Sequence, residues 1–266
     1  MSLKPVTVPA LRNRKGKQPI VALTAYDHPT AVEIGDLVDL ILVGDSLGMV
    51  VHGLPDTQQV TLEMMILHGQ AVMRARPNAL VVVDMPFGTV EESPAVAFRH
   101  AARVMRETGC SAIKLEGGTE MAETVRFLTQ RGIPVLGHVG LMPQKAAMMG
   151  GFRTQGRNTA IAEKIRADAQ AVAEAGGFAL VIEGTIEPLA REITEAVAVP
   201  TIGIGASPAC DGQILVVNDL LGRQSNYAPK FVRQYTRVGD STREAVAAYA
   251  DDVRARSFPG PEHCFN

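Results

Sequence analysis

The sequence predicts a closed (β/α)8, or TIM, barrel of the α/β class, and three observations predict it. Eight short apolar runs recur along the 266 residues, rich in β-branched side chains. Helix-period segments lie between most of them, and turn or cap signals separate the two kinds. The length also matches the roughly 250 residues typical of a single barrel. Continuous apolar runs, without polar alternation, are expected where strands of a parallel sheet are buried on both faces. An open doubly wound sheet is the alternative that the same alternation allows.

In order the runs are Ile20–Tyr26, Leu40–Asp45, Leu80–Met85, Ala112–Gly117, Pro134–Gly140, Ala179–Gly184, Pro200–Ala206 and Ile214–Asp219. Thr61–Ala75 places Leu62, Met65, Ile66, Gly69, Val72 and Met73 along one helical face. Ser93–Thr108 opens with an N-cap serine and Pro94 at the first helical position, and Gly109 follows it. Thr119–Arg131, Asn158–Ala175 and Ile186–Ala198 read as further helices, each stopped by Gly or Pro. Only Ser207–Gln213 joins the last two runs, so a very short helix is expected there. Leu141–Arg157 is long and glycine-rich and reads as a loop over the site mouth. Val8–Lys15 is expected to form a short helix capping the barrel bottom. Tyr227–Arg256 reads as further helices and Phe258–Asn266 as an extended end. Residues 1–266 are thus expected to form a single barrel domain with a C-terminal helical extension.

Aliphatic residues carry the apolar content; aromatics are 5% and Trp is absent. A formal net charge of −2 gives no electrostatic footprint for nucleic acid or for a membrane surface. No run reaches the roughly 18 to 20 apolar residues of a membrane span, and no signal-peptide core follows the basic N-terminus. Cys110, Cys210 and Cys264 lack metal or redox spacing, which fits a reducing compartment, with Cys110 a small buried residue beside a strand. A soluble cytoplasmic enzyme is the expectation.

In such a barrel, residues at the C-terminal strand ends converge on one face. Asp45, Asp84 and Glu116 end three neighbouring runs. Oxygen ligands from two or three carboxylates, completed by water and substrate, suit Mg2+, and no His or Cys pair has zinc spacing. Each Asp has a structural alternative as a helix cap or a partner of a loop arginine. Lys114 lies two residues before Glu116 and so shares its side of the strand. It reads as the binder of a substrate carboxylate, with a structural ion pair or a Schiff base as alternatives. Glu183 follows the apolar Leu180-Val181-Ile182 and suits a general base, or else a cap or loop ion pair. His138 is a hydrogen-bond donor to a substrate oxygen, or a histidine satisfied by backbone. Ser46 is an anion binder at a helix start. Gly203-Ile204-Gly205-Ala206 lacks dinucleotide spacing and a Walker lysine, which excludes nucleotide binding.

Val43-Gly44-Asp45-Ser46-Leu47-Gly48-Met49, Asp84-Met85-Pro86-Phe87, Ile113-Lys114-Leu115-Glu116-Gly117-Gly118 and Gly137-His138-Val139-Gly140-Leu141 resemble the ketopantoate hydroxymethyltransferase family. So do Gln155-Gly156-Arg157, Ile202-Gly203-Ile204-Gly205-Ala206, Cys210-Asp211-Gly212-Gln213 and Phe258-Pro259-Gly260-Pro261-Glu262-His263, in order along almost the whole chain. The resemblance implies a barrel of the phosphoenolpyruvate/pyruvate superfamily. It implies hydroxymethyl transfer from 5,10-methylenetetrahydrofolate to 3-methyl-2-oxobutanoate, giving 2-dehydropantoate for pantothenate synthesis through a Mg-stabilised enolate. On the matching positions it implies Asp45, Asp84 and Glu116 as metal ligands. Ser46, Asp84 and Lys114 become substrate contacts and Glu183 the proton acceptor, while Asp45 and His138 are expected as further substrate contacts from their place at the strand ends. A homo-oligomer, often a decamer, comes with it. Met142, Ser207 and Leu67 depart from the family's usual Thr, Gly and Tyr. A Mg-dependent 2-oxo acid carbon–carbon lyase and a catalytically silent barrel are the competing readings. The lyases of the related superfamily often carry a loop cysteine, and Leu141–Arg157 has none.

Overall fold

A computed structural model describes residues 4–223 and 228–265. Eight parallel strands close into a barrel in sequence order: β1 (Ile20–Thr24), β2 (Leu40–Val43), β3 (Leu80–Asp84), β4 (Ala112–Glu116), β5 (Val135–Gly140), β6 (Ala179–Glu183), β7 (Thr201–Ile204) and β8 (Gly212–Leu215). Closure comes from β1 pairing with β8, Ile20 opposite Gly212 and Ala22 opposite Ile214. The closed barrel is therefore the one the sequence predicts, and the open sheet is excluded. The strands β2 to β5 are buried along their whole length, as the uninterrupted apolar runs require.

Side chains alternate across a strand, and the interior set follows that period. Ile20 and Ala22, Leu40 and Leu42, Leu80 and Val82, Ala179 and Val181 belong to one buried cluster with Leu136, Ile202 and Ile214. Leu11, from the helix Val8–Arg12, joins the same cluster and is 1% exposed.

The helices start where their caps dictate. Thr61 Oγ1 accepts from Met64 N at 3.2 Å ahead of Leu62–Arg74, and Ser93 Oγ accepts from Val96 N at 3.3 Å ahead of Pro94–Thr108. Gly109, at φ 78°, closes the second in the left-handed conformation that favours glycine. Asn158 caps Thr159–Glu174, and Glu187–Ala196 follows β6. Thr119–Arg131 proves to be a 3-10 turn, Thr119–Met121, running into the shorter helix Ala122–Thr129.

Three expectations are corrected. No helix joins β7 to β8, because the chain turns back at once to pair Ile202 with Gly212. The last strand begins two residues earlier than Ile214 and stops at Leu215, so Asn218 and Asp219 fall in the helix Val217–Leu220. Leu141–Arg157 is not all loop: it contains a 3-10 turn, Pro143–Lys145, and the helical turn Ala146–Met149.

The chain divides into two compact units, Met1–Val216 and Val217–Asn266. The second carries the helix Val238–Ala255 and a 3-10 turn, Pro261–His263, inside the segment expected to be extended. Tyr227, where the C-terminal helical reading begins, and Asn266 lie outside the described residues. No helix among the described residues is long and apolar enough to cross a membrane.

Candidate active site

The interior period that builds the core also builds the site. Continuing upward past Val82, the next interior residue of β3 is Asp84. Past Ala112 come Lys114 and Glu116, past Leu136 comes His138, and past Val181 comes Glu183. Asp84 stands opposite Lys114 in the β3–β4 register, and Glu116 opposite His138 in β4–β5. Five titratable side chains therefore meet: four are the next interior position above an apolar layer, and Glu116 is the one above Lys114. Asp45 arrives differently, from the turn after β2, where its backbone N donates to Asp84 Oδ2 at 3.1 Å. Asp45, Asp84, Lys114, Glu116 and His138 are all buried. Glu183, with 19% of its side chain exposed, is the member of the set that faces the opening.

Lys114 Nζ lies 2.5 Å from Asp84 Oδ1 and 3.3 Å from His138 Nδ1. His138 Nδ1 is 3.5 Å from Glu116 Oε1, and its Nε2 is 3.2 Å from Glu183 Oε2, close enough for an ion pair but off the line of a good hydrogen bond. Burial disfavours every charge here. It pushes the Asp45 carboxyl up to about 8, helped by the Asp84 carboxylate beside it and opposed by Lys114. Asp84 is raised in the same way, against the pull of Lys114. For Lys114 burial works against the ammonium, but the surrounding Asp84, Asp45 and Glu116 outweigh it and hold the charge on. For His138 burial and Lys114 both oppose the imidazolium, yet Glu116 and Glu183 raise it to about 9. Lys114 thus keeps its charge among buried acids, and the pKa of the His138 imidazole beside it is raised.

Ser46 Oγ bonds the Tyr26 hydroxyl at 2.8 Å. Residue 44 is glycine at a crowded point: a Cβ there would sit 2.9 Å from Ser46 Oγ and 3.5 Å from Asp84 Oδ2. Ser46 opens the four-residue helix Leu47–Val50 without a side-chain cap bond.

Two residues of this site escaped the sequence reading. Tyr26 lies on the same alternation as Ile20, Ala22 and Thr24, so period two was a signal that could have found it. Gln144 had no such signal. It sits beyond β5 in an irregular stretch, yet it is 3% exposed and its Nε2 donates to Asp45 Oδ2 at 2.8 Å and Met85 O at 3.0 Å. Its backbone N donates to Glu116 Oε2 at 3.1 Å. The same stretch returns beside β6, where Gln155 N donates to Gly184 O at 2.7 Å.

Asp45, Asp84 and Glu116 share one neighbourhood but are spaced by Lys114 and Gln144. Among the described residues no three His, Cys, Asp or Glu side chains converge as a ready metal cage. Glu116 Oε1 is nevertheless buried without a well-directed hydrogen bond, while Asp84 Oδ1 is held by the Lys114 ion pair. An orphaned carboxylate oxygen beside further hard, anionic donors fits an oxygen-seeking divalent cation such as Mg2+.

The departures from the family pattern fall away from these groups. Leu67 is exposed; Met142 is buried in the stretch after β5. Ser207 uses its hydroxyl to bond Glu187 Oε1 at 2.8 Å, a contact glycine lacks. Cys110 is buried, and burial pushes its thiol pKa up.

Comparison with known proteins bears on the family and the fold. The model of the ketopantoate hydroxymethyltransferase family matches residues 5–261. The 3-methyl-2-oxobutanoate hydroxymethyltransferase of Brucella canis is 59% identical over 262 residues, covering 98% of this chain and 95% of the relative. That of Rhodospirillum rubrum is 59% identical over 256 residues, covering 96% and 92%. Among solved structures, 2,3-dimethylmalate lyase, a PEP mutase/isocitrate lyase superfamily member, superposes with TM-score 0.61 at 17% identity over 97% of this chain and 87% of that one. Phosphonopyruvate hydrolase in complex with oxalate and Mg2+ gives 0.62 at 14%, over 96% and 92%. At such identities the structures speak for the fold alone, and they bear out the closed (β/α)8 barrel. The two sequence comparisons, each spanning nearly the full length, establish that the chain belongs to the ketopantoate hydroxymethyltransferase family.

Proposed function

We propose that the chain transfers a hydroxymethyl group from 5,10-methylenetetrahydrofolate to 3-methyl-2-oxobutanoate, forming 2-dehydropantoate in pantothenate biosynthesis. The observation that carries this reading is Glu183: a part-exposed carboxylate whose Oε2 lies 3.2 Å from His138 Nε2, with the buried Lys114 Nζ 3.3 Å from the other nitrogen of that ring. A 2-oxo acid needs cations for its carboxylate, a polarised keto oxygen and a base at C3, and these groups supply all three.

Lys114 and Ser46 bind the substrate carboxylate, with Asp45, Asp84 and His138 completing the pocket. His138 donates to a substrate oxygen, which orients C3 toward Glu183. Glu183 takes the C3 proton as general base. C3 then forms its bond to the folate-borne methylene carbon, the two methylene–nitrogen bonds break in turn, and one water supplies the hydroxyl group, the C3 proton and the second water proton going to the two folate nitrogens. Asp45, Asp84 and Glu116 would hold Mg2+. When bound, the cation supplies Lewis-acid polarisation of the keto group. A cytoplasmic location and a homo-oligomer, decameric as the resemblance implies, belong to the same proposal. Sedimentation velocity tests the assembly.

The reaction is tested by incubating the protein with 3-methyl-2-oxobutanoate in D2O, with Mg2+ or EDTA, and following the C3 proton by NMR. Exchange is expected with Mg2+ only, and is expected to vanish in Glu183→Gln. Exchange in EDTA, or unaltered exchange in that variant, would sink the assigned roles. Adding methylenetetrahydrofolate should then yield the hydroxymethylated product; cleavage of a 2-oxo acid instead would favour the lyase reading.

A further inference from the structure

We propose that Gln144 is a positioning residue of the cation site, tying off one oxygen of Asp45 and one of Glu116 so that the remaining oxygens are presented to a divalent ion. The inference rests on the reading of Asp45, Asp84 and Glu116 as ligands and assigns a role to a residue outside that set.

A carboxylate turns easily about its last bond, so an unanchored one presents either oxygen. Each acid of the trio is anchored by an amide N–H. Asp84 Oδ2 accepts from Asp45 N at 3.1 Å, Asp45 Oδ2 from Gln144 Nε2 at 2.8 Å, and Glu116 Oε2 from Gln144 N at 3.1 Å. The opposite oxygen of Glu116 is left without a hydrogen bond, and that of Asp84 faces Lys114 Nζ at 2.5 Å. Gln144 therefore supplies two of the three anchors.

Its own position is independently held. An amide nitrogen has two hydrogens, and the second goes to the backbone carbonyl of Met85 at 3.0 Å. Gln144 O accepts from Gln58 Nε2 at 2.9 Å. The residue stays 3% exposed while Met148, four positions on, is 89% exposed, so the chain turns inward at this point. Charge argues the same way. A lysine or arginine here would neutralise the acids, whereas a carboxamide orients them and leaves their negative charge for the cation. Hydrogen bonds behind metal-ligating carboxylates are worth roughly ten- to a hundred-fold in metal affinity.

The test is Mn2+ binding followed by EPR titration of the free ion, with thermal unfolding recorded on the same samples. Gln144→Met keeps the volume and removes both side-chain donors; Gln144→Ala removes the side chain. Both are expected to retain the wild-type Tm to within a few degrees and to bind Mn2+ roughly ten- to a hundred-fold more weakly. Gln58→Ala loosens the same stretch but leaves the donors of Gln144 in place, and its affinity should stay within about threefold of wild type by the same reasoning. Unchanged or tighter Mn2+ binding in folded Gln144→Met overturns the inference, as does an equal loss in Gln58→Ala. A wild-type protein that binds no Mn2+ would instead overturn the cation site itself.

Discussion

Lys114 is the residue on which the electrostatics of the site turn. It stands buried between Asp84 and His138 with Asp45 and Glu116 close by, and its charge offsets the cost of holding those acids out of water. Replacing it by Met leaves buried carboxylates without a counter-charge, which is expected to cost about 3–5 kcal/mol at pH 8. The loss should shrink at pH 5, where Asp45, raised to about 8, is protonated. Urea unfolding followed by circular dichroism measures it, since the chain has no Trp to report by fluorescence. The wild type has a pH dependence of its own. Asp45 titrates in the fold at about 8 against an ordinary 3.8, so the fold holds that proton more tightly than the unfolded chain. Its contribution is present in full below 3.8 and is lost as pH rises toward 8. His138, raised from 6.5 to about 9, likewise stabilises below 6.5 and loses that effect through 9. The metal-free protein should therefore lose Tm as pH rises from about 4 to about 9. Mg2+ should flatten the fall above neutrality, because a bound cation favours the ionised Asp45. A metal-free Tm that climbs across this window would contradict the assignment.

At the scale of elements, the site depends on how closely β5 and β6 approach. Gly140 pairs with Glu183 in the β5–β6 register and holds φ 93°, and a Cβ there would collide with Glu183 O and Thr185 Oγ1. Gly140→Ala is expected to cost about 1–3 kcal/mol of stability. It should also displace Glu183, with a fall in C3 exchange on the order of a hundredfold. Ser93→Ala is the matching control. It removes the cap of Pro94–Thr108 and should cost about 1 kcal/mol, while exchange stays as in the wild type. Equal exchange in the two variants would show that the β5–β6 contact does not set the position of Glu183.

For the whole molecule, the placement of the ladders is the decisive fact. All eight strands, including the β1–β8 closure, fall within Met1–Val216, and among the described residues 217–265 no strand occurs. We read residues 1–266 as one barrel with a helical extension, and that reading makes a prediction. A chain ending at Val216 should keep the mixed α/β circular dichroism of the barrel and unfold cooperatively. A truncated chain that fails to fold would make 217–266 part of the barrel's own structure.

Taken alone, the sequence determined the barrel, its strand positions to within a few residues, and the polar residues at the strand ends. Those follow from local physics: burial on both faces writes itself as continuous apolar runs, and caps mark helix starts. Lys114 and Glu116 were legible as same-side neighbours because a strand has a fixed period of two. The missing helix between β7 and β8 was not legible, since how sharply a connection turns back depends on register with the next strand. Gln144 was not legible either. Nothing in Pro143-Gln144-Lys145 marks the middle residue as buried, and only the folding of that stretch onto Asp45, Met85 and Glu116 makes it so. Tertiary structure also decided that Asp45 and Asp84 are raised while Lys114 keeps its charge, because desolvation and proximity are properties of the assembled interior rather than of any segment.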